Sequence, residues 1–315
     1  MAEIWTMGEL LVEIMRPEPG TPLYKEGIFR GPFPSGAPGI FISTAARLGH
    51  SAGIIGGVGN DDFGKNILER LKRDGVDTSY VLESDNNSTG VAFVTYFENG
   101  DRQFIFHMGN TPAVEAKAPD PSEMAGAKLF HIMGCSLMAD TAFAREILKT
   151  MYGLKEQGAR VSFDPNIRPE LMRDPAVNEI MQEVLENTDI FLPGVQELLN
   201  ITGEVTAERA VQKCLQYPSM EMIVLKDGAR GAQIHTQDGR TVQSEAFRVK
   251  SIDPTGAGDS FDAAFLCGLL EGRSPKEAGR MAAAAGALNV MAFGPMEGNI
   301  SPETVREMME KGRIF

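Results

Sequence analysis

Cysteine, histidine and tryptophan are scarce in this chain, with three Cys, four His and one Trp in 315 residues. Cys135, Cys214 and Cys267 are odd in number, far apart and set in apolar stretches. That excludes a disulfide framework and reads as reduced, buried thiols. No C-x-x-C occurs and the histidines are scattered, so nothing supports a structural zinc site. No apolar run is long enough to span a bilayer, and no basic region leads into one at the N-terminus. The expected location is the cytoplasm. Positive charge is short as well: Lys and Arg number 30 against 43 Asp and Glu, a net charge of −13. Nucleic acid and anionic membranes are therefore poor partners. A phosphate-rich ligand would have to be met by backbone amides, a few basic side chains and a metal ion.

What is present is ordinary globular material, 43% hydrophobic and 23% charged, enough for one large α/β domain with a substantial core. The most informative stretch is Asp253-Pro254-Thr255-Gly256-Ala257-Gly258-Asp259-Ser260-Phe261. Before it, Phe247, Val249 and Ile252 alternate with polar residues, which predicts a strand. After it, Phe261, Phe265 and Leu269 recur at helical spacing. The turn between is nearly free of side chains, so a ligand can approach its backbone closely. Unpaired amides at the helix start form an anion site. Asp259 stands at its mouth. A helix-capping role would explain an Asp there. An acid beside a bound anion also suits a base that takes a proton from a hydroxyl attacking a phosphoryl group.

The whole pattern D-P-T-G-A-G-D-S-F resembles the second signature of the ribokinase (PfkB) family of carbohydrate kinases. Other motifs support the resemblance. Ser35-Gly36-Ala37 opens a small-residue helix ending Arg47-Leu48-Gly49, similar to the first signature, G-G-A-x-x-N. Ser35 stands there for the first Gly, and Ile40 for the Asn that commonly reaches the sugar. Glu13, five residues after Gly8, occupies the place of a sugar-binding Asp, one methylene longer; a solvent-facing strand residue is the alternative. The run from Gly56 to Lys65 resembles the family's G-G-x-G-x-D-x-x-G. It also fits G-x-x-x-x-G-K, but Asn66 stands where a P-loop needs Ser or Thr, and Asp61 and Asp62 would repel phosphate. A Rossmann fingerprint fails, since no Gly follows three after Gly59.

Residues 89–97 and 102–107 read as two strands joined at Asn99-Gly100. The resemblance folds them, with part of 10–33, into a small β lid over the sugar, bringing Phe106 to the substrate. The Arg that sugar-acid kinases place near His107 is missing, which favours a neutral sugar. From residue 129 strands and helices alternate, which predicts a parallel sheet with ligands at the strands' carboxyl ends. Strands are expected at 129–133, 160–163, 190–192 and 222–225, and helices at about 141–156, 175–186 and 206–215. Asp164-Pro165-Asn166-Ile167-Arg168 resembles the D-P-N-x-R of fructokinase and keto-sugar kinase members. Glu197 belongs to a likeness of N-x-x-E in which Gly194 replaces the Asn. Lys226, Gly228 and Gly231 match K-x-G-x-x-G. Ser274-Pro275-Lys276-Glu277 caps a further helix, with Asn289 near its end.

The resemblance covers the chain as a single domain, 1–315, and implies an α/β three-layer sandwich with a mainly parallel central sheet, ribokinase-like, plus the lid at about 10–33 and 88–107. It implies an ATP- and Mg²⁺-dependent kinase acting on a primary hydroxyl of a small sugar, a ketose or keto-sugar. Asp259 would be the base. The amides of Gly256, Ala257 and Gly258, with Arg168, would steady the phosphoryl group. Lys226, Gly228, Gly231, Gly258 and Asn289 would border the nucleotide. Glu13, Gly36, Ala37, Phe106, Arg168 and Asp259 would face the sugar. Glu197 would act on Mg²⁺ indirectly, and Asp253 would meet a monovalent cation such as K⁺. A homodimer could form through the lid. A nucleoside or sugar-phosphate kinase, or a sugar or nucleotide sensor without catalysis, are the alternatives.

Overall fold

Strands buried on both faces carry apolar residues at consecutive positions, and here each face has its own core. In β1 (Ile4–Met7), Ile4 joins one cluster while Trp5 and Met7 join the other. The same split runs through β4 (Ala52–Gly59), β8 (Leu129–Met133), β10 (Ile190–Phe191) and β11 (Met222–Lys226), whereas in β9 (Arg160–Asp164) Val161 and Phe163 both join the second cluster and Ser162 and Asp164 alternate with them. These strands pair in parallel in the order β11-β10-β9-β8-β1-β4. Outside β4 lies β5 (Asp77–Ser84), also parallel. On the far side the hairpin β12 (Ala232–Thr236) and β13 (Thr241–Ser244) adds two antiparallel strands. The computed structural model describes residues 2–97, 102–172 and 174–312.

One face of this nine-stranded sheet is covered by α1 (Ala37–Arg47), α2 (Asp62–Asp74), α8 (Ala257–Leu270), α9 (Pro275–Val290) and α10 (Pro302–Lys311). The other is covered by α3 (Gly134–Ala139), α4 (Thr141–Glu156), α5 (Ala176–Glu186), α6 (Val195–Thr202) and α7 (Ala207–Cys214). The result is the expected three-layer sandwich. All three cysteines are free and buried. Ser274 and Glu277 form the expected capping box, with Pro275 opening the helix. A Cβ on Gly286 would lie 3.3 Å from the Ala257 carbonyl, which is why α9 needs a small residue against α8. No helix among the described residues is long and apolar enough to cross a membrane.

The lid is a separate four-stranded sheet, β3 (Arg30–Ser35), β2 (Leu11–Met15), β6 (Gly90–Tyr96) and β7 (Arg102–His107), in that order. The expected Asn99-Gly100 tip falls outside the described residues.

One local expectation needs correction, and three further features left little trace in the sequence. Residues 245–252 form no strand but an extended loop, with Phe247 and Val249 half-buried and Ile252 exposed. Glycines 56, 57 and 59 continue β4 rather than leading into α2, because neighbouring backbone presses on them. A Cβ on Gly57 would lie 2.1 Å from the Pro112 carbonyl. The edge strand β5 gave no clear apolar alternation because its side chains are largely exposed. The short helices α3 and α6 follow directly on strand ends, with too few turns to show a period.

Candidate active site

The loop from 253 to 256 is held from several sides before α8 begins. Asp253 Oδ1 accepts from the Thr255 amide at 2.9 Å, the Thr255 hydroxyl at 2.6 Å and the Tyr96 hydroxyl at 3.1 Å. Its Oδ2 accepts from the Gly294 amide at 2.9 Å. Asn289 donates from Nδ2 to the Thr255 carbonyl at 2.6 Å. Gly256 takes φ 77°, and a Cβ there would sit 2.4 Å from the Pro295 carbonyl. Only glycine fits. At Gly258 the situation is reversed: its Cβ position meets nothing closer than Lys226 Nζ at 3.9 Å. The first turn of α8 is thus bare on the side facing solvent, and its dipole is open to an anion. The Ala257 amide leans on the Pro254 carbonyl at 3.3 Å.

Two cavities meet over this turn, at Pro254, Gly258 and Lys226. The apolar one, about 430 Å³, runs between α9 (Ala283, Gly286, Ala287, Val290) and the 245–252 loop (Phe247, Val249). That accounts for the alternation misread as a strand: an extended loop walling a cavity also turns every second side chain inward. Gly228 and Gly231 border this cavity. Gly231 has φ 93°, and a Cβ would meet the Ser244 carbonyl at 2.0 Å. Asn289 lies outside it, buried, with its amide engaged by the Thr255 carbonyl.

The polar cavity, about 240 Å³, lies between the lid and the carboxyl ends of the parallel strands. Glu13, Gly36, Ala37, Phe106, Arg168, Glu197, Lys226, Gly256, Gly258 and Asp259 all line it. Gly36 takes φ 97° under the Glu9 carbonyl, which lets α1 begin against the floor. Phe106 stacks on Phe104 beneath the lid at 5.1 Å between centroids. The cavity also takes in Glu9 and Arg102, which the sequence motifs did not single out, and Asn166, a member of the D-P-N-x-R motif to which the sequence assigns no role. Arg102, at the start of β7, brings a guanidinium to this chamber.

Asp259 is 7% exposed and accepts from Asn166 Nδ2 at 3.1 Å. Burial, then the nearby Asp164 charge, pushes its carboxyl up to about 7, against the pull of Arg168, Lys226 and Arg102. Lys226 Nζ lies 2.8 Å from Asp164 Oδ2 and 2.9 Å from Asp262 Oδ2. Burial acts to raise Asp164, but the Lys226 charge together with the hydrogen bonds to Asp262 and Lys226 outweighs it and holds that carboxyl below its ordinary value. Asp262, fully buried, is pushed well above. Asn166 adopts φ 39°, and its amide bonds Asp164 Oδ1 at 3.0 Å, so the D-P-N turn aims Nδ2 at Asp259. Arg168 stands with Cζ 5.8 Å from the Phe104 ring centre, a link between strand end and lid. Glu197 staples two loops: Oε1 accepts from the Ile167 amide and Oε2 from the Gly194 amide, both at 2.8 Å. Glu9 is held by Cys135 and Ser136, and burial raises its carboxyl.

The arrangement can hold an extended ligand: a flat apolar part in one chamber, an anionic middle over the bare turn, and a hydroxylic part beside a buried carboxylate. The family model "pfkB family carbohydrate kinase" matches residues 34–302. "Probable fructokinase-2" of Arabidopsis thaliana is 31% identical over 277 residues, spanning 86% of this chain and 83% of that protein. The "2-dehydro-3-deoxygluconokinase" of Bacillus subtilis (strain 168) is 31% identical over 285 residues, covering 89% and 87%. An E. coli protein assigned as Ribokinase II, crystallised with ATP and Mg²⁺, superposes with a TM-score of 0.92 at 37% identity, covering 99% of this chain and 100% of that one. Since the match from 34 to 302 takes in the lid strands β6 and β7 and the bare turn alike, the chain belongs to the pfkB family of carbohydrate kinases.

Proposed function

We propose that this kinase transfers the γ-phosphoryl group of ATP to a primary hydroxyl of a small ketose. The observation that carries the reading is the place of Asp259, a buried carboxylate in the wall of the polar cavity, next in sequence to Gly258 where the two cavities meet. The adenine would occupy the apolar cavity between α9 and the 245–252 loop. The phosphates would cross the bare turn, and the sugar would lie under the lid. Asp259 takes the hydroxyl proton as the oxygen attacks the γ-phosphorus, and the bond to the bridging oxygen breaks to leave ADP. Amides of the 256–258 turn and the Arg168 guanidinium meet the charge that develops on the phosphoryl oxygens, where one such donor contributes about 10²–10³ in rate. Lys226 supplies a fixed positive charge beside Gly258. Closure of the lid would keep water from competing with the sugar.

The donor set fits a Mg²⁺ that arrives on the nucleotide. No group of three or more His, Cys, Asp or Glu among the described residues is placed to hold a metal, and the Glu197 oxygens are taken by amides. Mg²⁺ in such sites binds through substrate phosphates and water, and it supplies charge neutralisation there. Asp253 spends Oδ1 on three donors and Oδ2 on one, which leaves Oδ2 room for a monovalent cation such as K⁺. Arg102 and Arg168 in one cavity favour a second reading, a 2-keto-3-deoxy sugar acid whose carboxylate they would pair.

The test is ADP release with fructose, tagatose, ribose and 2-keto-3-deoxygluconate, run in sodium and in potassium salts. The ketoses should stand above the rest; preference for the sugar acid would select the second reading. ADP release indifferent to every sugar would leave the sensor or a nucleoside acceptor. Equal rates in both salts would remove the cation from Asp253.

The free thiols suit a cytoplasmic setting. The lid and the loop that feeds it expose Tyr24 (82%), Ile28 (75%) and Ile105 (44%), an apolar surface that a second copy of the lid would cover. Light scattering at micromolar concentration should give twice the chain mass, and Ile105→Lys should halve it. A wild-type monomer under those conditions would reject the dimer.

A further inference from the structure

The two lid-side departures from the family pattern touch each other. Ser35 sits on β3 opposite Leu11 of β2, and Glu13 follows Leu11 on the same face. The Ser35 hydroxyl donates to Glu13 Oε1 at 2.6 Å. Ser35 is fully buried and Glu13 is 6% exposed. Oε2 of Glu13 has no hydrogen-bond partner, although it is buried in a residue that lines the polar cavity. A buried, unpaired carboxylate oxygen is costly unless something completes it. A glycine or alanine at 35 would offer no donor. An Asp at 13 would end one methylene short of the Ser35 hydroxyl. The third departure points the same way. Ile40 lines the cavity, but its Cγ2 lies 3.0 Å from the Cβ position of Gly256, so it packs on the turn and offers no polar group.

We propose that Ser35 is a positioning residue for sugar specificity: it fixes the longer Glu13 so that Oε2 accepts a substrate hydroxyl, a role the apolar Ile40 leaves to this pair. The inference rests on the polar cavity being the sugar site. The substrate must then bring an O–H donor to the β2 wall, and an analogue lacking it strands Oε2. An anionic group is disfavoured at that wall by the Glu13 carboxylate itself. Burial pushes Glu13 up to about 7, with the Ser35 bond and the Arg102 and Arg168 charges opposing and Asp253 adding to the rise. The Tyr96 hydroxyl interacts with it as well.

The experiment is a double-mutant cycle of Ser35→Ala, Glu13→Asp and both together. Sugar KM, ATP KM and kcat would be measured on the best sugar of the panel. Ser35→Ala should raise the sugar KM about tenfold, as losing a hydrogen bond to a charged group does, with kcat and ATP KM within about twofold. On the Glu13→Asp background the same change should add less than about twofold. A sugar KM unmoved by Ser35→Ala, or a full tenfold loss on both backgrounds, overturns the proposal. A second readout needs no turnover: the ¹³C-carboxyl titration of Glu13, identified by its absence in Glu13→Gln. Ser35→Ala should move its midpoint to higher pH, since the bond favours the ionised form; an unmoved midpoint also overturns the proposal. If every sugar is inert, the sugar reading falls while the titration still decides the Ser35–Glu13 pair.

Discussion

Asp259→Asn should reduce kcat by about 10³-fold or more while leaving the ATP KM within about threefold. Asparagine keeps the shape and the Oδ1 that accepts from Asn166, so the polar cavity is preserved and only the base is lost. The wild type should also show kcat/KM rising with pH to a plateau above about 7, where Asp259 is ionised. Stability should run the other way. The native Asp259 carboxyl titrates above its unfolded value, so the folded state holds the proton longer than the unfolded chain does. Stability is then full below the unfolded value near 4, and falls as pH rises until the folded value of about 7 is passed. The loss is on the order of 2–4 kcal/mol, since each pH unit of displacement corresponds to about 1.4 kcal/mol. Asp259→Asn should therefore raise Tm at pH 8 more than at pH 5. Thermal melts and steady-state kinetics on the same preparation would check both halves. Near-normal turnover in the variant would remove Asp259 from the chemistry, and equal Tm gains at both pH values would remove the buried charge from the energetics.

Gly258→Val should fold and yet lose about 10²–10³ in kcat/KM for ATP. The Cβ position at 258 is in open space, apart from Lys226 Nζ at 3.9 Å, and valine replaces glycine inside a helix at no propensity cost. The added methyl groups occupy the gap where the two cavities join, so phosphate oxygens cannot reach the amides, and misplacement of about 1 Å costs roughly 10² in rate. Gly256→Ala is the contrasting control. Its Cβ falls 2.4 Å from the Pro295 carbonyl at φ 77°, so that variant should lose several kcal/mol of stability. Circular dichroism melts alongside ATP kinetics would separate the two. An active Gly258→Val would mean that the phosphates do not cross this turn.

The parts of the site legible in the sequence are those contained in one short segment. Gly256, Gly258 and Asp259 lie within one short turn, where a positive φ restricts Gly256 to glycine and a bare face at Gly258 leaves the backbone open to a ligand, so the pattern is legible without any knowledge of the fold. Gly231 is similar, since its positive φ and the Ser244 carbonyl above it permit no side chain. Residues that act across the fold left no such trace. Tyr96 reaches Asp253 from the lid, 157 positions away, and although Asn166 stands in a recognisable motif, nothing in that motif tells that it reaches Asp259, 93 positions away. Arg102 and Glu9 look like ordinary strand-end charges until the lid folds over them. Asn289 shows the opposite case. It lies near the nucleotide chamber in sequence, but its side chain is turned inward to hold the Thr255 carbonyl.

By itself, the sequence determined the alternation of strands and helices, the parallel sheet and the bare helix start, because each depends on local periodicity or on a backbone angle. Only the tertiary structure decided which charges share the cavity, that residues 245–252 line a chamber instead of adding a strand, and that Ser35 and Glu13 form one unit. Pairing in space depends on strand register and on the closing of the lid over the sheet, and no window along the chain records either.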